Sequence, residues 1–363
     1  MNFELDEGQQ MLAASVARLF EDHAVRPPAG SARDWQDYRD MGLLGLPFAE
    51  ADGGLGGRHE DVMLVMEAYG RALGKVPYPS VVLLAGRLLA AAGGPAGQRL
   101  LAELIDGGKR VALALYEPGR RYHWDNPMTR AERDGDGWTL TGAKAAVLGA
   151  DRETVLLCPA TTAEGLRLFA LPAETAGLEM EMLPTPDGRR GANVRFEGAS
   201  IPATAELGDP VRNPALIAAA LDGAIAATCA EMVGAMERLL GLTVDYLNIR
   251  RQFGVAIGSF QAVQHRAADM LMAIEQARSM TIHAVAMLDA PADERGADVA
   301  AAKALVNRSS RFVGQQAIQL HGGLGLTAEY PAGRYFQRLT VLENLFGDTE
   351  HHLGIVERAG GRV

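Results

Sequence analysis

At 363 residues the chain is long enough for roughly two or three domains and a sizeable core. Lys and Arg total 35 against 45 Asp and Glu, a formal charge of −10, and no run of five basic residues occurs, which argues against a nucleic-acid backbone as partner. Charged residues at 22% and hydrophobic residues at 48% fit neither a disordered chain nor a membrane protein.

The opening Met1-Asn2-Phe3-Glu4-Leu5-Asp6-Glu7 is acidic and lacks the basic and apolar regions of a secretory signal, so a cytoplasmic location is expected. A helical period then runs through residues 6–108: Met11, Leu12, Val16, Leu19 and Phe20 fall on one face, and Asp6 is placed to cap the first helix. Gly53-Gly54-Leu55-Gly56-Gly57 reads as a loop between helices, because no strand precedes it and no Gly-Lys-Ser/Thr follows.

The period changes near Val111. Val111-Ala112-Leu113-Ala114-Leu115, Trp138-Thr139-Leu140-Thr141-Gly142, Thr154-Val155-Leu156-Leu157, Leu166-Arg167-Leu168-Phe169 and Val194-Arg195-Phe196 are short β-like runs, with turns such as Asp134-Gly135-Asp136-Gly137 between them. Their spacing predicts an antiparallel barrel or sandwich over residues 109–208.

From residue 209 to the end the pattern is helical again, with breaks at Pro291 and Pro331. Residues 215–250 could form one helix of about 50 Å, with Met232, Leu239, Leu240, Val244 and Leu247 at packing positions. The apolar stretches at 81–93 and 215–230 are interrupted by Arg87 and Asp222, so no membrane span is expected. The fold class predicted is α+β multidomain: a helical domain (1–108), a middle antiparallel β-domain (109–208) and a C-terminal four-helix bundle (209–363).

Cys158 and Cys229 lack CxxC or Cys/His ligand spacing and are expected as buried free thiols. His351 and His352 are adjacent on a predicted helix and point apart, which predicts a solvated pair and no metal site.

Two C-terminal segments carry chemistry. Arg250-Arg251-Gln252-Phe253-Gly254, with Ser259-Phe260-Gln261 after it, puts a guanidinium and aromatic rings at a helix end, where a pyrophosphate needs a fixed cation and flat rings need a stacking surface. Gln319-Leu320-His321-Gly322-Gly323-Leu324-Gly325 pairs an orienting amide with glycines that admit close backbone approach.

Together these segments resemble the two C-terminal signatures of the acyl-CoA dehydrogenase flavoproteins, and the resemblance covers essentially the whole chain. Trp35, Gly42-Leu43-Leu44-Gly45-Leu46-Pro47, Gly53-Gly54-Leu55-Gly56 and Glu67-Ala68-Tyr69-Gly70-Arg71 are similar to the N-terminal helical domain of that family. It implies FAD as cofactor, with Arg250, Gln252, Phe253, Phe260, Gln261, Gln319, Gly322 and Gly323 holding its nucleotide part, often for a neighbouring subunit. It also implies an acyl-CoA thioester as substrate, an electron-transfer flavoprotein as acceptor, a homo- or heterotetramer, and a place in fatty-acid or steroid side-chain oxidation.

The chain departs from the family around the flavin ring. Tyr116-Glu117-Pro118-Gly119 keeps the opening of one segment, but Arg120-Arg121-Tyr122-His123 replaces a small Ala-Gly-Ser-Asp turn. After Gly142-Ala143-Lys144 the family's Trp-x-Thr matches Ala146 and Leu148, which removes an aromatic wall and a hydroxyl donor. The α-proton base of α,β-desaturation is usually a glutamate, and its position falls on Gly347, or on Phe346 if the preceding loop has no insertion. The alternative position on the long helix is Ala224. Asp348 is the candidate catalytic base in a shifted register, and Asp222 is a weaker one.

Three readings follow from the resemblance. The chain is an FAD-dependent acyl-CoA dehydrogenase acting alone or as one subunit of a heteromer; or it is a non-catalytic subunit completing the FAD site of a partner; or, third, a flavin monooxygenase or nitroalkane oxidase on the same fold.

Overall fold

The computed structural model describes residues 5–25, 30–327 and 329–361; residues 1–4 of the acidic N-terminal stretch lie outside the described residues. In chain order it contains α1 (Glu7–Val25), α2 (Ala32–Asp40), α3 (His59–Arg71), a π-helical segment (Pro79–Gly86), α4 (Arg87–Ala92) and α5 (Gly94–Ile105). Then come β1 (Val111–Leu113), β2 (Arg130–Asp134), β3 (Gly137–Leu148), β4 (Val155–Thr162), β5 (Gly165–Pro172), β6 (Leu178–Pro184), β7 (Arg190–Pro202) and β8 (Glu206–Leu207). The rest is α6 (Asn213–Ile249), a hairpin of β9 (Arg251–Gln252) and β10 (Val255–Ala256), α7 (Gln261–Ala286), α8 (Ala292–His321), α9 (Ala332–Asn344) and α10 (Thr349–Arg358). The helix, strand, helix order expected from the periodicity is the order observed. By internal contacts the chain divides into two compact units, residues 1–29, 59–74 and 225–363 in one and residues 30–58 and 75–224 in the other.

The second of these units is built on an eight-stranded sheet in the order β6-β7-β3-β2-β4-β5-β8, with β1 beside β4. The sheet is mixed where antiparallel pairing was expected, because β1 runs parallel to β4 (Val111 opposite Val155) and β2 meets β4 in parallel at Arg130 and Thr161. The β2–β3 hairpin intervenes between β1 and β4, and a return of that length lets two strands align in the same sense. Alternate side chains Trp138 and Leu140 of β3, Leu156 and Cys158 of β4, Phe169 and Leu171 of β5, and Val194 and Phe196 of β7 form the core of this unit, each large one contributing about 1.5–3 kcal/mol. Trp138 meets Phe169 edge to face at 5.5 Å. At the start of α2, Ser31 Oγ accepts from Asp34 N at 3.2 Å and Asp34 Oδ2 accepts from Ser31 N at 3.0 Å, a reciprocal cap. The glycine-rich turn is a loop as expected; a side chain on Gly54 would run into the Phe48 carbonyl.

In the other unit, α1 is entered through Asp6, whose Oδ1 accepts from Gln9 N at 2.9 Å. Helix α6 has 37 residues, about 55 Å at 1.5 Å per residue. It is long and apolar enough to cross a membrane, but 78% of its most apolar window is buried inside the protein, the signature of a core helix. Gly70 of α3 and Gly234 of α6 face each other's helix so closely that a Cβ on either would strike the opposite backbone, at Glu231 and Glu67 respectively. Buried Glu231 receives two bonds from Arg338 of α9, 2.7 Å from Nε and 2.9 Å from Nη2, a bidentate pairing that compensates both desolvated charges.

Candidate functional site

The C-terminal end of α6 delivers the first signature. Arg250 N donates to Tyr246 O at 2.9 Å, ending the helix, and Arg250 O accepts from Ile257 N at 2.9 Å, closing the hairpin base. Gln252 pairs with Val255 across the hairpin, so Phe253 and Gly254 are its two loop residues. Their φ angles of +54° and +84° are both positive, the pattern of a type I′ turn. Glycine at the second position is ordinary. Phenylalanine at the first costs about 1–2 kcal/mol, and its ring is 92% exposed, touching Phe260 edge to face at 6.3 Å. A strained backbone that holds a bare aromatic ring in solvent is the kind of local cost that marks a binding surface.

Gln252, Phe260 and Gln261 lie on the same exposed stretch, Phe260 as the residue that caps α7. On the same unit, α8 ends at His321, with Gln319 exposed on its last turn. Gly322, at φ +59°, and Gly323 follow, and a Cβ on either would meet nothing within 4 Å. All eight nucleotide-contact candidates are therefore exposed on one unit.

The ring-facing segments lie in the other unit. The Glu117 carboxylate, buried, accepts from Thr129 N at 2.9 Å, Thr129 Oγ1 at 2.6 Å, Met128 N at 2.6 Å and Lys144 Nζ at 2.9 Å. Burial alone would raise its pKa, but the Thr129 hydroxyl, the Lys144 ammonium and the two amide donors outweigh it and hold the carboxyl below its ordinary range. This knot pins both ends of the 117–129 loop to β3. Inside the loop, Arg121 adopts φ +46° and Tyr122 packs edge-on against half-buried Tyr116 at 6.3 Å. Along β3 the pairing with β7 slips between Lys144 and Val147. Ala146 sits in that bulge at φ +51°, its N–H donating to Asn193 Oδ1 at 3.2 Å.

The turn before α10 holds the base positions. Gly347 has φ +129°, and a Cβ there would lie 2.5 Å from His352 Nε2 and 2.7 Å from His351 Cδ2. Phe346 is buried, and so is Ala224 of α6. Asp348 is the N-cap of α10, its Oδ1 accepting from His351 N at 2.9 Å.

The solvated histidine pair expected from the sequence is a correction. His352 is 1% exposed, and neither ring nitrogen has a hydrogen-bond partner among the described residues. Burial, then Lys303 and His351, push its pKa down to about 3 against a weaker pull from the carbonyls of residues 346 and 347, which face the ring outside bonding geometry. Lys303, also buried, donates to Asn307 Oδ1 at 2.6 Å and Leu342 O at 2.7 Å, and burial lowers its pKa to about 8. Both cysteines are buried free thiols as expected, with pKa values raised to about 11 for Cys158 and about 12 for Cys229, so neither is a ready nucleophile.

The profile of the acyl-CoA dehydrogenase N-terminal domain matches residues 6–108, and that of the acyl-CoA dehydrogenase C-terminal domain matches residues 215–361. The chain belongs to the acyl-CoA dehydrogenase family. The probable acyl-CoA dehydrogenase YngJ of Bacillus subtilis is 29% identical over 99% of this chain and 99% of its own. Among solved structures, a variant of the Tcur3481-Tcur3483 steroid ACAD superposes with TM-score 0.87 at 29% identity, over 98% of each chain. The ChsE4-ChsE5 complex from Mycobacterium tuberculosis superposes with TM-score 0.89 at 25% identity, over 100% of each chain. Membership makes this an oxidoreductase of the FAD-dependent acyl-CoA dehydrogenase type, as the sequence implied.

Within an acyl-CoA dehydrogenase, the cap role of Asp348 competes with its use as a base, and one substitution separates them. Asparagine is as good an N-cap as aspartate but cannot take a proton. Asp348→Asn is expected to leave the melting temperature within about 2 °C and acyl-CoA turnover of the assembled enzyme within twofold; a loss on the order of 10²-fold or more in kcat would make Asp348 the base.

Proposed function

We propose that this chain is the non-catalytic subunit of a heteromeric acyl-CoA dehydrogenase, completing the FAD site of a homologous catalytic subunit on Arg250, Gln252, Phe253, Phe260, Gln261, Gln319, Gly322 and Gly323. The observation that carries the reading is a contrast within one chain. The nucleotide-facing residues are all exposed, with Phe253 held out at a positive φ, and they fit the adenine and pyrophosphate half of FAD. The ring-facing segments do not fit its isoalloxazine: the small turn is replaced by Arg120 to His123, and the Trp-x-Thr position is the Ala146 bulge. The base position at Gly347 has no room for a side chain.

FAD, when bound, accepts the β-hydride of an acyl-CoA thioester. The catalytic partner supplies the α-proton base, and an electron-transfer flavoprotein is the acceptor. In this reading the chain itself supplies Arg250 as a fixed cation for the pyrophosphate, Phe253 and Phe260 as stacking faces, and Gln261 and Gln319 as orienting amides. The assembly is a heterotetramer in the cytoplasm, and its substrate class is a bulky thioester of the steroid side-chain kind. The self-sufficient enzyme, with Asp348 as base, is favoured only by the nearness of that carboxylate to residue 347.

Purified alone, the chain is expected to be colourless; co-expressed with a catalytic homologue, it is expected to carry about one FAD per two chains. A yellow homo-oligomer with one FAD per chain would overturn the proposal. Arg250→Ala is expected to speed FAD loss from the assembly roughly 10-fold or more, the worth of a charge-assisted phosphate contact. Unchanged retention would remove Arg250 from the clamp.

A further inference from the structure

His321 stands between the two nucleotide-facing segments and is not one of the contact candidates. It is 2% exposed at the last residue of α8, next to Gly322. Its Nδ1 lies 2.8 Å from Ala317 O. A carbonyl oxygen can only accept, so Nδ1 carries the proton and the neutral ring turns an acceptor, Nε2, toward the Tyr330 hydroxyl at 3.2 Å. The same hydroxyl lies 3.3 Å from Leu242 O on α6, and its single proton serves one of these two acceptors at a time. Burial lowers the His321 pKa against the opposing carbonyls of Ala317 and Leu242, which favours this neutral form. The imidazole also stacks on Tyr246 of α6 with ring centres 4.8 Å apart and planes inclined by 27°, and Tyr330 packs against it from another side at 4.8 Å.

Tyr246 is the residue whose carbonyl receives the Arg250 N–H. The imidazole, carried by the last residue of α8 between Gln319 and Gly322 and bonded back to Ala317 of that helix, is stacked on the last turn of α6 before Arg250. It joins the two segments directly. A histidine needed only to finish α8 would use Nδ1 and leave Nε2 idle; here Nε2 meets a hydroxyl that also reaches α6.

We infer that His321 is a positioning residue of the nucleotide clamp, setting the Gln319 to Gly323 segment against the Arg250 hairpin through Tyr330 and Tyr246. The inference rests on the clamp reading above. Glutamine places a polar atom where Nε2 stands and can keep the bridge to Tyr330. Asparagine reaches only the Nδ1 position and can keep only the bond to Ala317.

The test is the dissociation rate of FAD from the flavin-loaded assembly, followed by recovery of free-flavin fluorescence, for His321→Gln, His321→Asn and Tyr330→Phe. Removing one net hydrogen bond is expected to make His321→Asn and Tyr330→Phe release FAD roughly five- to tenfold faster, while His321→Gln stays within twofold of the parent. The Tyr330→Phe variant loses one oxygen and keeps its ring, so it holds the test open if a His321 variant fails to fold. Asparagine and glutamine behaving alike, or Tyr330→Phe releasing FAD at the parental rate, would overturn the inference. Arg250→Ala run alongside separates the two claims. Fast release there with parental release in the His321 and Tyr330 variants sinks only the positioning role, whereas parental release in Arg250→Ala sinks the clamp and this inference together.

Discussion

Glu117→Ala is expected to cost about 3–5 kcal/mol, the usual penalty for stranding one charge of a buried pair. Lys144, completely buried, would keep only the Leu115 carbonyl at 3.4 Å, and the amides of Met128 and Thr129 would lose their acceptor. The loss should appear as a lower urea midpoint for the β-sheet unit. Glu117→Ala/Lys144→Met should recover a large part of it, because removing both charges relieves the stranded one. Folding lowers the Glu117 pKa, so the knot gives its full stabilisation above the unfolded carboxylate pKa of about 4.3 and loses it as the pH falls through the lower folded value. A Glu117→Ala protein as stable as the parent would show that the carboxylate does not hold the 117–129 loop.

The second large effect is expected at Gly347. Replacing it with glutamate, the change that restores the family's usual base on paper, should destabilise the protein by roughly 2–6 kcal/mol and give no acyl-CoA-dependent flavin reduction. Two costs combine. The φ of +129° lies far outside the left-handed region near +50 to +70° that L-residues can enter, a strain of about 1–3 kcal/mol. The new Cβ would also meet the His352 ring at 2.5 Å, and overpacking of this kind costs about 1–3 kcal/mol. Adding His352→Ala should relieve the second cost and leave the first. A stable, flavin-reducing Gly347→Glu protein would show that the turn can rearrange to present a base.

The sequence showed these sites unequally. The exposed helix-end placement of Arg250, Phe253 and Gln319 was legible because these motifs are runs of consecutive residues, and Asp6 because a cap acts over three residues. The lack of a carboxylate at Gly347 and Ala224 could also be read directly. His352 could not. Successive helix residues differ by about 100°, which says that two neighbouring side chains diverge but not which of them faces the core. Burial of His352 depends on where α10 packs, with Lys303 among the charges it meets, and α8 and α10 are separated by many residues in the chain. Strand β2 was missed for a related reason: Arg-Ala-Glu-Arg-Asp is exposed but for Ala131, so pairing with its neighbours makes it a strand. Strand β6 was also missed, although Leu178 and Met180 alternate with Glu179 and Glu181 and pack against the sheet core, a pattern that is legible in the sequence. The parallel β1–β4 contact is likewise a property of the return path and leaves no local mark.

Tyr330 and the bulge at Ala146 illustrate the remaining gap. Neither residue type suggests a role, and each acquires one through a partner distant in the chain, Leu242 in one case and Asn193 in the other.

The hairpin at Phe253 also bears on the energetics of loading. Its backbone is already in the costly conformation before any nucleotide arrives, with the turn geometry fixed by the pairing of Gln252 and Val255. The expense therefore falls on folding and not on association, and only the freedom of the exposed side chain itself is left to surrender when a flat base docks on it. Relaxing the loop, for example with Phe253→Asn, would make the folded chain more stable and its nucleotide complex weaker at the same time, a trade of affinity against fold stability set at a single φ angle.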